Sequence, residues 1–270
     1  MTLRRFLAAL GILVLLGIAC VVDAFVIEPS WPKVVRIDAE LAGLTSPVTI
    51  ALLADPHTKE LRRLERRVHA ILAREKPDAI FVAGDLAHGR GRAEDVAPFL
   101  QGMSAPLGTW VVPGNWDYWR GGPDAGLAAY RRAGARTLKD EVARLRDDLV
   151  LVGLDDTLGG DPDPAGVLAL ATGGGAVIVL MHEPGLFEDL AGAAPLALAG
   201  HTHGGQGRLP FYGALTTPPG SGAFVDGWYE KNGSRMYVSR GLGTSVIAAR
   251  FFSRPEVTMI TLRPKAVDSR

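Results

Sequence analysis

Gly200-His201-Thr202-His203-Gly204-Gly205 places two imidazoles two residues apart at the end of an apolar run, Ala197-Leu198-Ala199. Neutral imidazole is a common ligand for divalent metals, and the glycines let the backbone turn tightly around whatever the histidines hold. Taken alone the pair reads equally well as two loop histidines, because alternate side chains on extended backbone point to opposite faces. Three upstream boundaries change its weight. Val48–Leu53 runs into Ala54-Asp55-Pro56-His57, Ala79–Ala83 into Gly84-Asp85, and Thr109–Val112 into Pro113-Gly114-Asn115. A fourth apolar run, 176–181, ends on His182. Each is a buried-strand pattern that stops at a metal-competent side chain, and the carboxyl ends of strands are where open α/β sheets keep their sites. Read strand by strand, the pattern lines Asp55, His57, Asp85 and Asn115 along one rim of one sheet and brings His182, His201 and His203 to the same rim.

The lone cysteine, Cys20, lies in the N-terminal apolar segment, so a metal in the folded body must be held by His, Asp, Asn or Glu. That donor set suits Mn, Zn, Fe or Mg. Two ions about 3.5–4 Å apart need a bridging carboxylate, and Asp85 is the best placed. Two divalent ions, the carboxylates of Asp55 and Asp85, and a bridging hydroxide leave the centre net positive. Such a site attracts phosphate, supplies a nucleophile at neutral pH and neutralises a phosphoryl transition state.

The remaining chain supplies the frame. Leu61, Leu64, Val68, Ile71 and Leu72 recur at helical spacing opposite Arg62, Arg63, Glu65, Arg66 and Arg67, with His69 on an exposed position. A second helix is expected over 124–133, and a hairpin over 141–146 and 149–154 turning at Asp147-Asp148. Asp155-Asp156 read as turn formers, and Asn232-Gly233 as a second hairpin turn. Gly173-Gly174-Gly175 is a turn, since no Gly-Lys-Ser/Thr follows to make a phosphate loop. The 29 basic and 29 acidic residues balance, and no basic face for nucleic acid is indicated.

At the N-terminus Arg4-Arg5 precede an uncharged apolar run, 6–22, which continues past Asp23 through Ala24-Phe25-Val26-Ile27. This exceeds the ~7–15-residue core of a cleaved signal and favours a retained anchor over cleavage after Ala24 or lipidation at Cys20. The expected division is an anchor at 1–27, a lead-in linker at 28–47 whose Val34–Ile37 stretch pairs at a sheet edge, a catalytic domain at 48–262 and a tail at 263–270. The short N-terminal tail favours an exported body on the outer side of the inner membrane.

The blocks Asp55-Pro56-His57, Gly84-Asp85, Gly114-Asn115, His182 and Gly200-His201-Thr202-His203, in this order, resemble the calcineurin-like metallophosphoesterase family over about 48–262. Residues 200–210 and 237–245 resemble its membrane-associated bacterial branch, which includes phosphodiesterases and UDP-diacylglucosamine pyrophosphatase-like enzymes. The resemblance implies an α/β four-layer sandwich of two mixed sheets flanked by helices. It also implies that Asp55, His57, Asp85 and His203 hold one metal and that Asp85, Asn115, His182 and His201 hold the other. Asp85, Asn115 and His203 carry the catalytic assignment.

One position departs from the family. Where a histidine usually follows the asparagine, this chain has Trp116, and indole cannot deliver a proton to a leaving group. Asp117, His88 or water would have to replace it, which disfavours alkyl monoesters and leaves pyrophosphates, aryl esters and nucleotide leaving groups. Trp116 either packs under its loop with Tyr118 and Trp119 or forms an aromatic wall for substrate. Arg240 either meets a substrate phosphate or pairs a local carboxylate. Leu209, Phe211, Tyr212, Leu215, Trp228 and Tyr229 are either core or a lipid-facing rim. The expected function is hydrolysis of a phosphodiester or pyrophosphate, in a lipid or nucleotide-sugar substrate; the alternatives are a phosphomonoesterase with another acid and a metal-bearing membrane scaffold.

Overall fold

The computed structural model describes residues 2–89, 92–118 and 122–265; Trp119 and the last five residues of the expected tail lie outside them. Helix α1 (Leu3–Val22) has no buried residue. Its twenty residues span about 30 Å, and the stretch Leu3–Ser30 is long and apolar enough to cross a membrane. The chain then forms β1 (Lys33–Leu41), β2 (Val48–Leu53), α2 (Arg63–Glu75), β3 (Ala79–Ala83), α3 (Ala97–Gln101) and β4 (Thr109–Val112). There follow α4 (Asn115–Tyr118), α5 (Pro123–Arg132), β5 (Arg136–Thr137), β6 (Glu141–Arg146), β7 (Leu149–Gly153), α6 (Pro164–Ala169) and β8 (Ala176–Leu180). The last elements are α7 (Phe187–Leu190), β9 (Leu196–Ala199), the hairpin β10 (Arg208–Leu209) and β11 (Gly213–Ala214), β12 (Gly227–Lys231), β13 (Ser234–Val238) and β14 (Glu256–Pro264).

Two six-stranded mixed sheets result, in the orders β1-β14-β2-β3-β4-β5 and β12-β13-β9-β8-β7-β6. The two mixed sheets implied by the family resemblance are present, and Asp55, His57, Asp85 and Asn115 follow strands of the first, β2, β3 and β4, as expected; what is corrected is the placing of His182, His201 and His203 on the same rim, since β8 and β9 lie in the second. Strand-by-strand reading misses this because both faces of every central strand are apolar. Ile50, Leu52 and Phe81 face Leu151, Ile178, Leu180 and Leu198 between the sheets. The alternate residues Ala51, Leu53, Ile80 and Val82 pack outward with Val68, Phe99 and Tyr130 of α2, α3 and α5. Val179 and Ala197 pack outward with Val167, Phe187 and Leu190 of α6 and α7. Period-two alternation thus serves two cores per strand, and the helix–sheet–sheet–helix sandwich is the architecture that buries both.

The lead-in is built into the sheet. Nine residues of it, β1, pair in parallel with β14 as the edge strand of the first sheet, extending the pairing expected for Val34–Ile37. The chain before it is equally fixed. Arg250 N–H donates to the Ala24 carbonyl at 2.9 Å, and the Glu28 carboxylate accepts N–H bonds from Phe252 and Ser253.

Candidate metal centre

All seven expected ligands meet where the C-terminal ends of β2, β3 and β4 face those of β8 and β9. Asp55, His57, Asp85, Asn115, His182, His201 and His203 are all buried. The local backbone is unusual: Asp55, His57, Asp85, His201 and His203 have φ between 45° and 71°. Left-handed conformation costs a non-glycine residue roughly 1–3 kcal/mol, and residues held this way cluster at functional sites. Between them stand glycines that no other residue could replace without movement. A Cβ on Gly84 would lie 2.5 Å from His182 Nδ1, and one on Gly114 would lie 2.3 Å from Asp85 Oδ1.

The hydrogen bonds fix the imidazole tautomers. His182 Nδ1 meets the Ala83 carbonyl at 2.8 Å, and His201 Nε2 meets the Pro219 carbonyl at 2.6 Å. A carbonyl only accepts, so these two nitrogens carry the protons. The other two ring nitrogens, His182 Nε2 and His201 Nδ1, then face each other at 3.0 Å, with Asn115 Oδ1 3.1 Å from His182 Nε2 and Asp85 Oδ2 at 3.4 Å. His201 Nδ1, Asn115 Oδ1 and Asp85 Oδ2 thus converge on His182 Nε2 in a buried space, where either a second proton on His182 or a cation in its place satisfies them. On the other side His57 Nε2 lies 3.2 Å from His203 Nε2 and 3.6 Å from Asp85 Oδ2, and buried His57 Nδ1 has no partner among the described residues. Asp55, His57 and His203 form one group whose donor atoms lie within 4.8 Å of one another, and Asp55, Asp85 and His182 form another. His182 approaches Asp55 through the nitrogen committed to Ala83. We therefore keep Asp55 with His57 and His203, and propose His182 Nε2 for the group with Asn115 and His201.

The electrostatics fit the same cation. Burial pushes the Asp55 carboxyl up to about 7 against the pull of His182. Burial also pushes His57 and His201 each down to about 4 and His203 well down, so their lone pairs are available at neutral pH. Asp85 behaves oppositely: burial would raise it, but the charge and hydrogen bond of His182, then His57, hold it well below the carboxylate range. His182 is the counterpart, held above its ordinary value despite burial by Asp85 and Asp55. The chain alone compensates its buried carboxylate with one proton; a donor set of oxygen and imidazole nitrogen suits divalent metals in its place.

The expected substrate residues divide. Trp116 stands edge-on to His57 with ring centres 4.9 Å apart, while its backbone N–H holds Asp85 Oδ1 at 2.9 Å. His88 is half-buried, its ring 6.3 Å from that of His57 and 5.6 Å from the indole. Asp117 is corrected: it is buried, accepts from Gly114 N–H and Tyr130 O–H, and so shapes the turn that presents Asn115 instead of facing substrate. Arg240 is likewise committed, to Asp226 at 2.6–2.8 Å. Asp155 and Asp156 are turn formers as expected, Asp156 accepting from Leu158 and Gly159.

Sequence reading missed Arg250. Fully buried, it donates to the carbonyls of Gly243, Arg240 and Ser253 and approaches His203 Nδ1 at 3.3 Å. Its setting, Ala248-Ala249-Arg250-Phe251-Phe252, is the available signal: a charge inside an apolar run. A cleft of about 710 Å³ opens over the centre, with Asp85, Asn115, His201 and His203 in its wall and Trp116, Leu158, Pro218, Val246 and Ile247 around them.

Residues 48–205 match the sequence model of the calcineurin-like phosphoesterase family. The chain is 34% identical over 228 residues to the uncharacterized metallophosphoesterase YkuE of Bacillus subtilis, covering 79% of this chain and 78% of that one. It is 30% identical over 251 residues to the phosphodiesterase YaeI of Escherichia coli, covering 87% and 90%. One solved structure shares the fold at a TM-score of 0.50 and 12% identity, over 71% of this chain and 90% of that one. With these matches and a buried centre built for divalent metals, the chain belongs to the calcineurin-like phosphoesterase family and is a metallophosphoesterase.

Proposed function

We propose that the protein is a membrane-anchored, two-metal hydrolase of a phosphodiester or pyrophosphate whose substituent lies in the apolar cleft. The observation that carries this reading is Trp116. Its indole packs edge-on to His57 in the cleft wall, at the sequence position after Asn115 where the family usually carries a histidine, and it can donate a hydrogen bond but not a proton. A phosphate monoester leaving from a pyrophosphate, or an aryl oxide leaving from an aryl diester, is a stable anion and tolerates this; an alkoxide does not, whether it leaves an alkyl diester or an alkyl monoester.

Bound divalent ions would supply Lewis-acid charge and water acidified to near neutral pH. The chain's own residues do the rest. Asp85 serves both halves of the centre, its Oδ1 held by Trp116 N–H so that Oδ2 points at His57 and His182. Asp55 is oriented by two contacts from His201 N–H at 2.9–3.0 Å. Ala83 and Pro219 direct the lone pairs of His182 and His201 inward.

The match to a relative named a phosphodiesterase supports the diester reading. Metal content measured alongside hydrolysis of a nitrophenyl monoester, a nitrophenyl diester, a nucleotide sugar and a lipid pyrophosphate tests it. About two metals per chain and preference for diester or pyrophosphate are expected; a preference for alkyl monoesters would overturn it and turn attention to His88 as the acid.

A further inference from the structure

Outside Leu3–Ser30, exposed large apolar side chains are concentrated on one part of the described surface. They are Trp31, Leu158, Leu170, Leu209, Phe211, Tyr212, Leu215, Val246, Ile247 and Phe252. Leu158, Val246 and Ile247 line the metal cleft, Trp31 and Phe252 adjoin the end of the apolar helix, and Leu209–Leu215 lead into the cleft wall at Thr216, while Leu170 stands just past α6. Scattered single apolar residues are ordinary on a protein surface, but a contiguous set marks an interaction site.

The set forms two lips. One is the β10–β11 hairpin with the residue after it: Leu209, Phe211, Tyr212 and Leu215, with Phe211 fully exposed and Tyr212 75% exposed. It leads directly into Thr216-Thr217-Pro218-Pro219 of the cleft wall. The other lip is Val246 and Ile247, 89% and 60% exposed, which themselves line the cleft. Gln206 ties the lips together by accepting from Ser245 N–H and donating to the Ile247 carbonyl.

Both lips are bolted to the end of the anchor. Gly207 bridges Phe251, and Arg208 N–H donates to the Phe251 carbonyl at 2.8 Å. The neighbours of Phe251 on either side, Arg250 and Phe252, bond Ala24 and Glu28. A second cleft, of about 820 Å³, has Phe25 and Val26 of the helix end and Ser245 and Val246 in its wall. A surface of this chemistry, continuous with an apolar helix of membrane-spanning length and held to its end through the Ala24 carbonyl and the Glu28 carboxylate, has one partner that covers all of it at once.

We infer that the Leu209–Leu215 hairpin region and the Val246-Ile247 loop dock into the interfacial layer of the bilayer that holds the anchor, so that the catalytic cleft opens onto lipid. The substrate class follows: a phosphodiester or pyrophosphate whose apolar part stays in the membrane while its phosphate reaches Asp85 and Asn115. This rests on the anchored-hydrolase reading above and deepens it. Tyr212 suits such a depth, since one end of its side chain is apolar and the other prefers the wet interface.

The test uses the full chain in phosphatidylcholine–phosphatidylglycerol liposomes. In a Cys20→Ser background, spin labels are attached at Phe211→Cys, at Ile247→Cys and, as a control, at Asp147→Cys in the β6–β7 turn at the opposite end of the second sheet. Collision with lipid-soluble oxygen is compared with collision with a water-soluble nickel chelate. At 211 and 247 oxygen access should exceed nickel access, and at 147 the order should reverse. Nickel access at 211 and 247 equal to that at 147 overturns the proposal. Shielding from both reagents, with dipolar broadening that disappears on dilution with unlabelled protein, identifies a second copy as the occupant and also overturns it.

Labelling native Cys20 separates the underlying reading: water exposure there removes the anchor and the proposal with it. Failure of the hydrolase reading appears separately, as absent turnover of a soluble aryl diester with label depths unchanged.

Discussion

The two sheets bring different chemistry to the same place. The first contributes both carboxylates and the amide, Asp55, Asp85 and Asn115, together with His57; the second contributes only imidazoles, His182, His201 and His203. Each rim is held in part by the other sheet. His182 of the second is oriented by the Ala83 carbonyl of the first, and Asp55 of the first is held by His201 N–H of the second. The difference teaches that charge and lone pairs are kept apart in sequence and joined only by the apolar interface beneath. That interface is part of the catalytic apparatus.

The comparison breaks most severely at Asp85, which faces imidazoles from both sheets. Asp85→Asn should cut activity by about 10³-fold or more and lower metal content in parallel; full turnover with two metals would refute its shared role. The interface comes next. Leu180→Ala, fully buried two residues before His182, should cost about 3 kcal/mol and lower Tm by roughly 10 °C. If the sheets position each other, metal affinity should fall with it; unchanged affinity would make the rims independent.

His201→Ala removes one second-sheet imidazole and leaves the His57–His203 side intact. Metal should drop from about two per chain towards one, with activity down about 10²-fold. Loss of both metals would show that the two halves bind as a unit. Trp116→His restores a proton-capable ring at the leaving-group side, and alkyl monoester turnover should rise about tenfold or more, within the ordinary range of acid catalysis. No gain would mean that shape, not proton supply, excludes monoesters.

The smallest effect lies at the opposite end of the sandwich. There Asp148 of the second sheet accepts from Thr45 N–H and Oγ1 beside the first at 2.7 and 2.6 Å, and from Arg146 at 2.8 Å. Burial would raise its carboxyl, but the Thr45 and Arg146 bonds hold it well below the ordinary value of 3.8. A depressed folded pKa means that the stabilisation is complete above the unfolded value and is lost as pH falls through the folded one. Asp148→Asn should therefore cost about 1–2 kcal/mol at pH 7, with the Tm difference from the parent shrinking below pH 3.8. A difference independent of pH would remove the clamp.

Much of this was legible in order along the chain. Asp55, His57, Asp85, Asn115, His182, His201 and His203 stand at ends of apolar runs, and period-two patterning marks the strands because side chains alternate by geometry. The hairpin turns at Asp147-Asp148 and Asn232-Gly233 were local as well, since turn chemistry depends on adjacent residues. Asp117 and Arg240 were not legible as internal contacts. Their partners, Tyr130 and Asp226, lie thirteen and fourteen residues away, and residue type alone does not say whether a charge faces solvent, substrate or neighbour.

What the sequence by itself determined is the ligand set and the apolar runs that carry it. Only the tertiary structure decided which of these runs enters which of the two sheets, that Arg250 is buried against His203, and that the segment around Phe251 bonds both the hairpin and the end of the apolar N-terminal helix. The physical reason is that an apolar strand buried on both faces satisfies either sheet equally well in one dimension. Burying both faces at once in three dimensions leaves the arrangement in which the carboxylates and the imidazoles meet.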